Sequence, residues 1–388
     1  MSQVTTGLEK LADGAAPELH GKRLGLVTNP CGVDRHLRSS IDVLFGNRNI
    51  DLVALFGPEH GIRGEVQAGG KVDAEQDNAT GLPVHSLYGK TRMPDAAMLD
   101  GLDAVVVDLQ DIGVRYATYL STLDNVLTAC HANSKQVIIL DRPNPLGGQT
   151  VSGGLLDPGF RSFIGTHPVP ILHGMTLGEL GLMIAHERAL TPPIVVTMDG
   201  WRRSMLWDET GLPWVLPSPN LPTLDSHLLY PATCLIEGTT LSEGRGTTRP
   251  FEVFGAPWLN PQHMVELIDG LRLPGVRARP HYFVPTISKH AGEHCGGVQV
   301  YVERGFLHSM PELGSRLIHL LATNYSDQFA WTDLPDEGSR YFIDLLTGND
   351  QLRNAIDAGE SPDDLLDIWT NDAETFRVRR GAFLLYDS

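Results

Sequence analysis

The chain has 388 residues, 41% of them hydrophobic and 20% charged, and carries a formal net charge of −17. That length exceeds the usual range of a single core and predicts two domains, or one large domain with a lobe. The acidic balance argues against nucleic acid or an anionic membrane surface as partner, because both are bound through concentrated Lys and Arg. Met1 to Gly14 holds acidic residues and no long apolar core, so it reads as neither a signal peptide nor an anchor. No later segment reaches the roughly 18 to 20 apolar residues of a membrane span. These features predict a cytoplasmic protein, or a secreted or periplasmic one if a leader has been trimmed. Cys31, Cys130, Cys234 and Cys295 lie far apart with no Cys-x-x-Cys pair, so neither a disulfide framework nor a zinc site is expected.

Strand-like and helix-like patterns alternate through the first 145 residues. Strands are predicted at Lys22 to Asn29, Ile50 to Phe56, Leu82 to Tyr88, Ala104 to Leu109 and Gln136 to Leu140. Helices are predicted at Leu37 to Phe45, Met93 to Leu99 and Tyr119 to Ala132. Such alternation implies a parallel sheet with helices on both faces. The strands end in polar residues: Asn29, Glu59, the run Asp108-Leu109-Gln110-Asp111, and Asp141-Arg142-Pro143-Asn144. In open α/β sheets the ligand crevice lies outside these carboxyl ends. The first βα turn, Thr28-Asn29-Pro30-Cys31-Gly32-Val33, lacks the Gly-x-Gly-x-x-Gly that admits a pyrophosphate, so a Rossmann-like layout without a nucleotide cofactor is expected.

Val169 to Leu172 reads as a strand, followed by His173-Gly174-Met175-Thr176-Leu177-Gly178-Glu179, which opens a helix to about Arg188 and in which Thr176 and Glu179 have capping-box spacing. Ile194 to Met198 reads as another strand. The loop Pro217-Ser218-Pro219-Asn220-Leu221-Pro222-Thr223 is stiffened by three prolines and suits either a recognition loop or a linker. Beyond about Ser226, Ser242-Glu243-Gly244-Arg245-Gly246-Thr247-Thr248 combines close backbone approach with a guanidinium. Helices at Gln262 to Leu271 and Leu313 to Thr323, a strand at Gly297 to Val302, helical patterns to Thr370 and a closing strand at Gly381 to Tyr386 complete the reading. The expected division is residues 1–230, a Rossmann-like catalytic domain, and 231–388, a smaller α/β domain, with the active site in the cleft between them.

A glycoside hydrolase needs at least two carboxyl groups flanking a cleft, one of them protonated for the leaving oxygen. Glu59 ends an apolar strand and is the general-acid candidate. Asp108, Asp111, Asp141, Glu179 and Glu243 compete for the second role, while His60 and His173 are alternative bases. Asp108, Asp111, His60 and His173 match no metal-ligand signature, so neither metal nor cofactor is expected.

Six collinear runs, FGPEHGIRGE (56–65), DLQDIGVRYATY (108–119), DRPNPLGG (141–148), HGMTLGE (173–179), PSPNLPT (217–223) and SEGRGTTRPFE (242–252), resemble the bacterial exo-β-N-acetylmuramidases called NamZ. The resemblance implies release of N-acetylmuramic acid from the non-reducing ends of peptidoglycan fragments such as the MurNAc-GlcNAc disaccharide. It places the family's Pro-Glu-His-Gly glutamate on Glu59 as acid/base, with His60 and Arg63 as neighbours. A substrate bearing a lactyl carboxylate calls for guanidinium partners, for which Arg63, Arg115, Arg142 and Arg245 are candidates. Asp108, Asn144 or Asn220 would orient the 2-acetamido group, and Gln110 joins the expected substrate contacts. A muropeptide amidase or esterase with His173 as base, and a non-catalytic wall-sugar binder, are the alternatives. Oligomeric state is not legible.

Overall fold

A computed structural model of the chain describes residues 3–63, 75–89, 91–334 and 340–388. Thr6 opens α1 (Gly7–Ala12) through a capping box closed by Glu9. There follow β1 (Arg23–Thr28), α2 (Ser40–Phe45), β2 (Asp51–Gly57), β3 (Glu75–Gln76), β4 (Pro83–Ser86), α3 (Ala96–Leu99), β5 (Ala104–Asp108), α4 (Thr118–Ala132) and β6 (Gln136–Leu140). The helix expected from Leu37 begins instead at Ser40. Leu37 is left-handed with φ 63°, and the Ser39 hydroxyl caps the helix by accepting from the Asp42 N–H at 3.0 Å.

β7 (Ser152–Leu155) and β8 (Pro170–Leu172) form a separate antiparallel pair, after which come α5 (Leu177–Glu187) and β9 (Ile194–Val196). The strands β4, β2, β1, β5, β6 and β9 lie side by side in that order, all parallel, with β3 antiparallel at the β4 edge. Counted along the chain, the parallel strands run 3-2-1-4-5-6 across the sheet, as in a doubly wound dinucleotide-binding domain. β5 shows why its sequence is an unbroken Ala-Val-Val-Val. Val105 and Val107 enter the core under α4 and α5, while Ala104 and Val106 enter the core under α1 and α2.

The main elements of the second half are α6 (Leu224–Thr233), β10 (Val253–Ala256), α7 (Pro261–Gly270), β11 (Val276–Phe283), β12 (Cys295–Val302), α8 (Met310–Asn324), α9 (Phe342–Thr347), α10 (Gln351–Asp357) and α11 (Asp363–Arg380). β12 is central in an antiparallel sheet between β10 and β11. Its core is shared with the first half, since Ile112, Val114 and Leu146 pack among Phe254, Leu313 and Leu317. α11 returns to the first half and lies on β7, where the absent side chain of Gly154 makes room for Trp369.

The closing strand expected at Gly381 to Tyr386 is absent. Those residues form a short 3₁₀ turn (Gly381–Phe383) and an irregular tail. The tail's polar groups bond to side chains rather than to a strand: the Leu385 N–H donates to Glu179 at 2.8 Å and the Tyr386 hydroxyl to Asp141 at 2.6 Å.

Candidate active site

At the end of β2, Pro58 removes a backbone donor and the chain turns through two left-handed residues, His60 (φ 74°) and Gly61 (φ 77°). A histidine in that region is uncommon, and such backbone strain concentrates at functional turns. The turn sets Glu59 beside Thr118, the first residue of α4, whose hydroxyl donates to Glu59 Oε2 at 2.8 Å. The Tyr88 hydroxyl also bonds to Glu59; burial, followed by the Glu59 charge, pushes this phenol up to about 12.

Glu59 opens onto a cleft of about 600 Å³ whose walls come from both halves of the chain. Tyr88, Arg92, Tyr116, Phe163 and Asn220 line it from the first half, and Tyr230, Cys234, Glu237, Arg245, Ile287 and Phe342 from the second. A recess of about 70 Å³ continues past Glu59 and His60 toward Tyr119, Pro217 and Ser218. Among these walls, the Arg92 guanidinium stands 4.4 Å from the Phe163 ring centroid and 5.8 Å from that of Tyr88. Asn220 is 7% exposed, and its side-chain amide makes no hydrogen bond among the described residues. Arg245 Nε donates to Glu237 at 2.7 Å and lies 3.0 Å from Glu243, and its Nη2 also bonds to Glu237. Burial disfavours the Arg245 charge, but the Glu237 and Glu243 carboxylates outweigh it and hold the guanidinium above its ordinary pKa. Glu243 is itself buried behind this pair, and burial pushes its carboxyl up against the pull of Lys289, 3.4 Å away.

Of the residues singled out in the sequence, the structure brings Glu59, His60, Asn220 and Arg245 to the cleft and its recess. Asp108 and Arg142 are buried together in a bidentate ion pair, with contacts of 2.6 and 2.8 Å. Asp141 accepts from the Thr176 hydroxyl at 2.7 Å and the Gly178 N–H at 2.9 Å. Glu179 completes the capping box with Thr176 and also pairs with buried Arg203. Arg115 is wholly buried and spends its guanidinium on the carbonyls of Gly154, Val169 and Leu346. Arg63 forms a bidentate pair with Asp77.

Gln110 donates to the carbonyls of Asp111 and Pro143, and Asn144 to that of Met175. The Met175 N–H donates to His173 Nδ1 at 3.2 Å, and the other ring nitrogen, Nε2, lies 3.6 Å from Asp111 Oδ2. His173 and Asp111 are buried and do not line the cleft. Among the described residues, no three His, Cys, Asp or Glu side chains come together in a metal-holding group. Gly64 and Glu65 of the motif at 56–65 lie outside the described residues.

Tyr88, Arg92, Phe163 and Glu237 were not among the sequence candidates. Glu237 begins the glycine-rich stretch that holds Glu243 and Arg245, which is the one signal that would have found it. Taken together, the cleft presents two carboxyl groups, two guanidinium groups, an amide and several ring faces, a set that suits an anionic sugar with a glycosidic oxygen near an acid.

Residues 24–225 match the family model of the exo-β-N-acetylmuramidase NamZ N-terminal domain, and residues 228–386 that of its C-terminal domain. The peptidoglycan β-N-acetylmuramidase NamZ of Bacillus subtilis (strain 168) is 43% identical over 385 residues, covering 99% of this chain and 92% of that protein. Two crystal structures of DUF1343 family proteins from Bacteroides fragilis NCTC 9343 share the architecture. One has a TM-score of 0.89 at 38% identity and covers 99% of each chain. The other has a TM-score of 0.79 at 32% identity and covers 100% of each. The agreement runs through both halves of the chain and both walls of the cleft: the chain belongs to the exo-β-N-acetylmuramidase NamZ family.

Proposed function

We propose that the chain is an exo-acting glycoside hydrolase that releases N-acetylmuramic acid from the non-reducing end of peptidoglycan fragments such as the MurNAc-GlcNAc disaccharide, in wall turnover and recycling. The observation that carries this reading is the position of Glu59, at a strand's carboxyl end and on the wall of a cleft of about 600 Å³ lined by both halves. Glu59 serves as acid/base toward the glycosidic oxygen, with Thr118 and Tyr88 holding its carboxyl group in place. Residues 1–230 supply this group and residues 231–388 close the cleft, contributing Glu237, the other carboxylate on its wall, as the candidate for the second role. Asn220 orients the 2-acetamido group. A reducing, cytoplasmic setting is consistent with four cysteines that are free and buried, and cell fractionation with an antibody to the chain checks it.

The deciding assay is release of 4-nitrophenol from its β-N-acetylmuramide by wild type and Glu59→Gln, with the β-N-acetylglucosaminide and EDTA as controls. Muramide-selective, EDTA-resistant turnover that falls at least about 10²-fold in the variant, the scale of a lost acid/base, supports both reaction and residue. Turnover of neither sugar returns the amidase or esterase and the wall-sugar binder. Full activity in Glu59→Gln would move the acid elsewhere in the cleft.

A further inference from the structure

Two guanidinium groups line the cleft, and they differ in how much negative charge already answers them. Arg245 is met by Glu237 and by Glu243, so a substrate carboxylate there would enter a site whose cation is already matched twice. Arg92 has no carboxylate partner among the described residues. Its guanidinium lies across the faces of Phe163 and Tyr88, and the Asn125 side-chain amide fixes its backbone by donating to the Arg92 carbonyl at 2.8 Å. Ring faces hold a guanidinium in position while leaving its in-plane N–H donors unused, the state needed to take a carboxylate bidentately.

We infer that Arg92 binds the carboxylate of the substrate's lactyl ether and thereby distinguishes muramic acid from glucosamine; this rests on the muramidase reading above. Tyr88 links the parts. Its hydroxyl bonds to Glu59 and its ring carries Arg92, so the cation and the acid are separated by about one aromatic side chain. On a pyranose, the lactyl oxygen at C3 and the glycosidic oxygen at C1 are likewise separated by about the width of a ring. One sugar therefore meets both groups when its anomeric centre is at Glu59. Of the other arginines considered for this task, Arg115 and Arg142 are buried and bonded within the fold, and Arg63 is held bidentately by Asp77 and does not line the cleft. Arg92 is exposed at the cleft and free to reach a ligand.

The test compares wild type, Arg92→Ala and Arg92→Lys on the chromogenic β-N-acetylmuramide and on the same glycoside with its lactyl group as the neutral methyl ester. Wild type should prefer the acid. Arg92→Ala should lose about 10- to 100-fold in kcat/KM on the acid, chiefly through KM, with little change on the ester, as expected for one charge-assisted pair. Arg92→Lys should recover part of the preference. Equal losses on acid and ester, or no loss on either, would overturn the assignment.

A binding measurement separates this outcome from failure of the hydrolase reading. Titration calorimetry of free N-acetylmuramic acid and N-acetylglucosamine against wild type and Arg92→Ala requires no turnover. A preference for muramic acid that disappears in the variant supports Arg92 even if the protein cleaves neither glycoside. A preference that survives the substitution rejects Arg92 even if the protein is a muramidase.

Discussion

Asn220 reaches the cleft wall from the proline-stiffened loop, and its amide lacks an intramolecular partner among the described residues. A nearly buried amide in that state is completed by ligand or water, because leaving it unpaired is costly. Replacing it with alanine should lower kcat/KM on a muramide by about 10- to 100-fold without lowering the thermal midpoint, and an unchanged kcat/KM would remove Asn220 from the site. The cysteines make the opposite case. Burial pushes Cys31 and Cys130 up to about 12 and Cys295 to about 11, and raises Cys234 well above its ordinary value. Thiolate is the reactive form, so Ellman's reagent near neutral pH should titrate none of the four in the native protein and all of them in denaturant. Rapid labelling of a native thiol would show that its covering layer opens. Glu59 was legible beforehand because a local event, an apolar strand stopped by Gly-Pro, sets its position. Arg115, Arg142 and Asp108 look equally reactive in the sequence, and only tertiary burial reveals that carbonyls or each other consume them.

Elements with local start signals were the readable ones. The Thr176-to-Glu179 spacing marks the capping box of α5, and β5 and β6 read as continuous apolar runs. The apolar Phe383-Leu384-Leu385-Tyr386 run misled, because its anchors are the distant carboxylates of Glu179 and Asp141, which no local pattern discloses. β11 is hidden by a proline. Val276-Arg277-Ala278-Arg279 alternates as a strand does, but Pro280 reads as a break, and only the edge position of the strand admits it. The contact between α11 and β7 gives this scale its own test. Leu155 donates its N–H to Asp372 at 3.0 Å, and a Cβ added at Gly154 would stand 2.5 Å from Cδ1 of Trp369. Gly154→Ala must therefore push α11 outward and should destabilise the protein by ~1–3 kcal/mol in chemical denaturation, the usual cost of overpacking. An unchanged denaturation midpoint would mean that the helix shifts without loss.

Across the whole molecule, the ties between the halves include the shared core, Arg115 bonding to carbonyls on both sides, and the tail fastened to Asp141. The last is sensitive to pH. Burial pushes the Asp141 carboxyl up to about 6 from 3.8, opposed by hydrogen bonds from Tyr386, Thr176 and Gly178 and reinforced by the neighbouring Glu179 carboxylate. Between these two values the folded protein keeps the proton while the unfolded chain has released it. Stability from this group is therefore fully present below about pH 4 and is lost as pH rises through about 6, because the unfolded state then binds fewer protons than the folded one. The difference of about 2 pH units corresponds to about 3 kcal/mol at 1.36 kcal/mol per unit. Other groups titrate over the same range, so the measurable quantity is the difference between wild type and Asp141→Asn, which cannot ionise. Urea denaturation at intervals from pH 4 to pH 7 should show the variant gaining on wild type by roughly that amount and levelling off above pH 6. The hydroxyls of Thr176 and Tyr386 can rotate to accept from the new amide, so any constant offset reports the fit of the asparagine, whereas the slope reports the proton. Parallel stability curves over that interval would show that Asp141 is ionised in the folded protein throughout, and that the tail is held by an ordinary carboxylate.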